Sequence, residues 1–182
     1  RRCMAKRKYY RDFRDHLKEL EEREKLIRIH RPIDKDTELM PLVRWQFRGL
    51  DEEQRKAFMF ENVVDAKGKQ YSMPVTVGTL AATTEIYAIG LMCRPEEIDQ
   101  RWIEAQVNPI APVKVASGPV QEMIWTGNEL LNGHGLDMLP VPISTPGFDN
   151  APYLTSANWI TKDIETGVYN IGNYRSQIKS PD

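Results

Sequence analysis

Apolar positions first fall into a helical rhythm at Phe13, Leu17 and Leu20, spaced i, i+4 and i+7, with Glu and Lys on the other face. This predicts a helix from residue 12 to about 25. At Leu26-Ile-Arg-Ile29 the period changes to alternation, which predicts a strand. Asp36-Thr37 can cap a second helix that tolerates Pro41 in its first turn, runs through Trp45 and ends near Gly49. Residues 57–64 and 73–80 are strand candidates around the turn Asp65-Ala-Lys-Gly68. Thr83 or Thr84 starts a helix through Ile86, Ile89 and Leu91. Pro95-Glu-Glu opens another, which presents Ile98, Trp102 and Ile103 on one face and ends before Asn108-Pro109. Helices and strands interleave throughout, so residues 1–107 predict an α/β layer domain.

The pattern then shifts. No convincing helix follows Gln106, and residues 108–115, 119–126 and 151 onward are rich in Pro and β-formers. We place a boundary near 107, with a β domain over 108–182. Its strongest candidates, 153–161 and 168–179, flank a polar turn between Asp163 and Gly167, where Gly suits a positive φ. The second carries Asn170, Gly172, Asn173 and Arg175, which a plain strand disfavours or keeps wet. In a regular strand Asn170 and Arg175 point to opposite faces. A bulge or break at Gly172 would turn both toward one site. An edge strand with a solvated face is the alternative.

Composition narrows the function less than the pattern does. The 182 residues are 41% hydrophobic and 28% charged, as in an ordinary soluble protein, and a net charge of −1 gives no argument for nucleic acid or membrane partners. The basic Lys6-Arg-Lys8 reads as a solvated lead-in to the first helix. Cys3 and Cys93 make no disulfide framework or zinc spacing, and no apolar run could span a bilayer, so the cytoplasm is the default location. His16, His30 and His134 read as surface residues. Glu21-Glu-Arg-Glu24 and Asp51-Glu-Glu53 read as solvated helix ends, and Gly133-His-Gly135 lacks the features of a phosphate loop. Asn170 and Arg175 differ. An Asn carbonyl is a hard, neutral ligand for Mg2+ or Mn2+, and an Arg fork suits a carboxylate.

Asn170-Ile-Gly-Asn-Tyr-Arg175 resembles the Asn-x-x-x-x-Arg segment of the UbiD-like family of prenylated-flavin-dependent (de)carboxylases. Ile160-Thr-Lys-Asp-Ile-Glu-Thr-Gly167 looks like that family's hairpin, and the run from Leu139 to Thr155 like the stretch that leads into it. The likeness continues more weakly at Leu26-Ile-Arg-Ile29 and Phe60-Glu-Asn-Val63, and so covers nearly the whole chain. It implies a mixed α/β (α+β) fold, in which an N-terminal α/β domain precedes the opening strands of a split β-barrel that holds the flavin. It implies reversible, non-oxidative decarboxylation or carboxylation of an aromatic or α,β-unsaturated acid, with an aryl thioester as one candidate. The implied cofactors are prenylated FMN and a divalent metal, Mn2+ or Mg2+, with K+ as a further candidate. The implied roles are Asn170 as metal ligand, Arg175 as catalytic residue, and Asn173, Tyr174, Arg175 and Thr155 as cofactor contacts. Family members are commonly homo-oligomers. The family's His and Glu metal ligands and its acidic proton donor lie beyond its Asn-x-x-x-x-Arg segment. The expectation is therefore an N-terminal part of a larger subunit, or a chain completed by another. The rival is a non-catalytic truncated homologue that serves as an assembly subunit.

Overall fold

Asp12 opens the first helix because its carboxylate accepts hydrogen bonds from the backbone N–H groups of Arg14 and Asp15, at 2.9 and 3.1 Å. The computed structural model describes residues 9–181 and begins its regular structure here. The expectation for Lys6-Arg-Lys8, and Cys3, lie outside the described residues. In chain order the elements are α1 (Phe13–Glu22), β1 (Leu26–Asp34), α2 (Leu39–Gly49), β2 (Ala57–Val64), β3 (Val75–Val77), α3 (Thr84–Gly90) and α4 (Ile98–Val107). There follow β4 (Tyr153–Leu154), β5 (Asn158–Lys162), β6 (Tyr169–Asn173) and β7 (Ser176–Gln177). Strands β1, β2 and β3 are neighbours in that order in one sheet, while β4 pairs with β7 and β5 with β6. The fold is mixed α/β, and no closed barrel forms among the described residues. None of their helices is long and apolar enough to cross a membrane.

The chain divides into two compact units, interleaved along the sequence. One holds residues up to 30 with 45–60 and 76–120. Its core joins Leu20, Ala57, Ala82, Ile86 and Ile89, with Leu26 packed against them. His16 belongs to this interior, which corrects its reading as a surface residue: it is 4% exposed, and its Nε2 lies 2.7 Å from the Thr79 carbonyl oxygen. At about 100° per residue, positions 13, 16, 17 and 20 share one arc of α1, so the arc that buries Leu17 and Leu20 takes His16 with them. His30 and His134 are exposed as expected. Gln46 clips the chain at Lys56, donating from Nε2 to its carbonyl and accepting its N–H at Oε1, at 2.7 and 2.8 Å. Glu52 is more than a solvated end. It accepts both the N–H and the hydroxyl of Thr84 at 2.6 Å, tethering the start of α3, whose cap is Thr83. The apolar face expected on α4 exists but is largely open: Ile98 is half-buried, Trp102 and Ile103 are exposed, and none of the helix's residues is fully buried.

The second unit holds residues 31–44, 61–75 and 121 onward, and Ile33, Leu39, Val43 and Val63 are its buried hydrophobics. Asp34, not Asp36-Thr37, organises the entry to α2, because its Oδ1 accepts the N–H groups of Asp36 and Thr37. The strand expected over 119–126 is a single 3-10 turn at Pro119–Gln121, and 108–115 has no regular structure. β-branched composition needs a paired, half-buried surface to become a strand. Here Ile110 is 93% exposed and no partner strand is present among the described residues. A 3-10 turn at Leu136–Met138 stands where no helix was expected, after a kinked segment over Leu130–His134 in which Asn132 and Gly133 leave helical geometry.

A network of charged and aromatic side chains braces this second unit. Lys35, almost fully buried, pairs with Asp36 at 2.6 Å and lies over the Tyr71 ring. Lys69 lies over the same ring and bonds the Asp137 carboxylate at 3.2 Å. The Tyr71 hydroxyl donates to Asp65 at 3.3 Å. Burial, and then the neighbouring Asp65 carboxylate, push the Tyr71 phenol up to about 12. The folded chain therefore binds that proton more tightly than the unfolded chain does. The resulting stabilisation is complete below pH 10 and is lost as pH rises to about 12. We expect Tyr71→Phe to flatten the loss of stability across that window, measured by denaturant unfolding, and Asp65→Asn to make Tyr71 ionise earlier in an ultraviolet absorbance titration. Identical pH profiles for wild type and both variants would show that Tyr71 is not so held.

Candidate active site

The hairpin between β5 and β6 is set by its turn. Asp163 Oδ1 accepts the N–H groups of Glu165 and Thr166 and the Thr166 hydroxyl, which holds its carboxyl below the usual carboxylate range, the Thr166 N–H contributing most. Gly167 closes the turn at φ +71°, as its sequence position predicts. With the turn fixed, register follows: Thr161 stands opposite Asn170, Ile160 opposite Ile171, Trp159 opposite Gly172 and Asn158 opposite Asn173. Asn170 and Gly172 thus share one face with Thr161 and Trp159. Asn173 lies on the other face with Ile171, Ile160 and Asn158. The ladder does not bring the Asn170 and Asn173 side chains together.

Gly172 is not the site of a bulge or break, for the ladder runs through it without interruption. Its missing side chain serves a different purpose. A Cβ there would come within 2.9 Å of Tyr174 Cζ and 3.0 Å of its hydroxyl, so the Tyr174 ring occupies the space. From the opposite rung the Trp159 indole N–H donates to the Tyr174 carbonyl at 3.0 Å. The break falls two residues later. After Asn173 the chain leaves β5, and Ser176 and Gln177 pair instead with Leu154 and Tyr153 of β4. The expected long strands are each split in two, at 155–157 and at 174–175.

Arg175 sits at this change of partner, outside both ladders and exposed. Its guanidinium lies over the Tyr153 ring, 5.6 Å from the centroid, and no carboxylate pairs with it among the described residues. Asn170 and Asn173 are exposed strand residues, and Thr155 is exposed in the bend between β4 and β5. No three His, Cys, Asp or Glu residues group to hold a metal ion among the described residues.

Support for β4 comes from residues that sequence reasoning passed over. Arg44 of α2 donates from Nη2 to the Ser144 carbonyl and to Thr145 Oγ1, at 2.9 and 3.0 Å. The Thr145 N–H donates to Asp149 Oδ2 at 2.7 Å, closing a turn. Gln177 Nε2 then donates to Asn150 Oδ1 at 2.7 Å, and the Ile178 N–H to the Pro152 carbonyl at 3.0 Å. The proline-rich lead-in is thereby fastened at one end to α2 and at the other to β7. Nothing in the local pattern distinguishes Arg44 from any polar residue on α2. Tyr153, an aromatic two positions before Thr155, was within reach of such a reading.

Two comparisons bear on this arrangement. Residues 17–106 match the family described as the 3-octaprenyl-4-hydroxybenzoate carboxy-lyase N-terminal domain, UbiD_N, and residues 112–182 match its Rift-related domain, UbiD. Among solved structures, the chain is similar to the UbiD-class enzyme HmfF from Pelotomaculum thermopropionicum in complex with FMN. The identity is 30% and the TM-score 0.76, over 93% of this chain and 35% of that one. An evolved dimeric form of HmfF in complex with prFMN matches at 29% identity and TM-score 0.74, over 95% and 37%. The apo 3,4-dihydroxybenzoic acid decarboxylase AroY of Klebsiella pneumoniae matches at 22% identity and TM-score 0.77, over 95% and 36%, a likeness of fold. The chain spans about a third of the length of the solved chains it matches.

The packing around Gly172 predicts a specific lesion. Gly172→Ala would drive the Tyr174 ring off the strand and weaken the Trp159 bond to its carbonyl, at a cost of about 1–3 kcal/mol for the added methyl. In a nitrogen–proton correlation spectrum the Trp159 indole resonance, assigned with Trp159→Phe, should shift strongly. An unmoved resonance with unchanged stability would show that Tyr174 does not pack there.

Proposed function

Because this chain belongs to the UbiD-like carboxy-lyase family, as its N-terminal portion, we propose that it supplies part of the active site of a prenylated-FMN-dependent carboxy-lyase. The substrate would be an aromatic or α,β-unsaturated acid, an aryl thioester included, that loses or gains CO2 without oxidation. The observation that carries the reading is Arg175. An exposed guanidinium outside both ladders, resting on an aromatic ring and unpaired with any carboxylate among the described residues, has its donor fork available for an anion.

The donor set around it suits the implied cofactor. At the rungs flanking Asn170 stand Thr161, Lys162, Tyr169, Ile160 and Ile171, with no carboxylate among them. A dianionic phosphate carrying a divalent ion would meet a neutral oxygen donor from Asn170 and suffer no like-charge repulsion from its neighbours. In this reading Asn170 would be one ligand of Mn2+ or Mg2+, which would help retain the flavin, with K+ as a further ion. Asn173, Tyr174 and Thr155 contact the flavin where the chain passes from β5 to β4. When bound, the prenylated flavin supplies the chemistry of CO2 loss and gain. Arg175 binds the substrate carboxylate and orients it. The acid that returns a proton to the substrate carbon, and the remaining metal ligands, are assigned to further polypeptide, since the solved relatives are about three times as long. The same reading sets the domain boundary near residue 107 and places the enzyme in the cytoplasm as a homo-oligomer. The rival assembly-subunit reading draws on the largely open face of α4 and on exposed Val113, Val120 and Ile124. The same experiment separates the two.

That experiment compares variants of the full-length protein. On whichever member of a panel of aryl and α,β-unsaturated acids releases CO2, Arg175→Ala should lower kcat/KM by about a hundredfold to a thousandfold, as for a lost preorganised donor, while flavin content persists. No turnover by the wild type on any acid of the panel would favour the assembly reading, and wild-type kcat/KM in Arg175→Ala would remove Arg175 from the site. Asn170→Leu should lose both metal, read by mass spectrometry, and flavin, read by absorbance. Asn170→Asp should keep the metal and hold flavin less well, because its charge faces the phosphate. Full metal and flavin occupancy in Asn170→Leu would remove Asn170 from the site.

A further inference from the structure

Arg175 has a long side chain with much rotamer freedom to lose, and it lies at a break in the strand, where no ladder restrains it. A carboxylate partner would fix its direction but would also occupy the fork that an anionic ligand needs. An aromatic face meets both demands. It attracts the guanidinium through its π face and spends none of the N–H donors on a hydrogen bond. Tyr153 provides such a face, with its ring centroid 5.6 Å from the guanidinium carbon.

The ring itself is well anchored. Tyr153 is half-buried and pairs through its backbone with Gln177; Leu154 pairs with Ser176 on one side of that rung, and on the other Ile178 bonds Pro152 and the Gln177 side chain bonds Asn150. Its position is thus set by the β4–β7 pair, independently of the β5–β6 ladder that carries Asn170. The Tyr153 hydroxyl makes no hydrogen bond within the described structure, so the ring is the part that matters. We propose that Tyr153 is a positioning residue, which pre-orders Arg175 for a carboxylate ligand through this cation–π contact. This inference rests on the role proposed above for Arg175.

The test uses the flavin-loaded full-length protein and reads ligand affinity rather than turnover. Aryl and α,β-unsaturated carboxylates, benzoate and cinnamate first, are titrated by flavin absorbance against wild type, Tyr153→Phe, Tyr153→Leu, Arg175→Ala and the Tyr153→Leu/Arg175→Ala double variant. Leu is a fair strand residue and should keep the β4–β7 pairing, which unchanged flavin and metal content would report. Tyr153→Phe should bind as wild type, whereas Tyr153→Leu should weaken binding about tenfold, the scale of a partly desolvated cation–π contact. In the Arg175→Ala background, Tyr153→Leu should have no further effect. An equal loss from Tyr153→Leu in both backgrounds, wild-type affinity in Tyr153→Leu, or a Phe variant as weak as Leu would each overturn the inference. Unchanged affinity in Arg175→Ala alone, or no carboxylate bound by the wild type, would instead overturn the role of Arg175, and this inference with it.

Discussion

Alternation along a β-strand allows residues five apart to share a site only if the chain leaves its ladder between them. The site proposed for Asn170 and Arg175 rests on that constraint, and the region from β4 to β7 contains such an exit. Asn170 is held in an unbroken ladder with β5, and Arg175 escapes the constraint because β6 ends at Asn173 and the chain takes β4 as its next partner. The exchange of partners is specified from both sides. Trp159 holds the Tyr174 carbonyl on the β5 side, and Tyr153 pairs with Gln177 on the β4 side. Gly172 contributes by having no side chain, which leaves the Tyr174 ring room over the last rungs.

A two-residue strand such as β4 has little stability of its own. Here it is supplied from outside the sheet. Arg44 fastens the Ser144–Thr145 turn, the Ile143 N–H bonds the Lys35 carbonyl, and Gln177 closes the loop at Asn150. Lys35 is in turn fixed by Asp36 and the Tyr71 ring. The direction of Arg175 thus depends on side chains more than a hundred residues earlier in the sequence.

What could be read in advance follows from how local each cause is. Helices α1 and α3 and strand β2 were legible because caps at Asp12 and Thr83, and in β2 the apolar groups Ala57–Phe60 and Val63–Val64, are local to the elements themselves. The hairpin turn was legible because Asp163 and Gly167 suffice to make it. The polar residues on β6 were visible for their oddity, and the family resemblance gave them roles. The position of the break was not legible. Gly172 was the residue that permits one, but what decides it is the distant partner β4, which takes over the pairing from Ser176. His16 was misplaced because a polar residue at the edge of an apolar arc counts as solvated until its acceptor, the Thr79 carbonyl, is known. The strand expected over 119–126 failed for the opposite reason: it has the composition but no partner strand among the described residues.

The most direct measurement is anomalous X-ray scattering at the manganese edge from crystals of the flavin-loaded full-length protein. The account predicts a manganese peak within coordinating distance of Asn170 Oδ1, about 2.0–2.6 Å as for hard divalent ions, with Arg175 still against the Tyr153 ring. A peak coordinated elsewhere, with Asn170 facing solvent and Arg175 paired to a carboxylate of the protein, would contradict it.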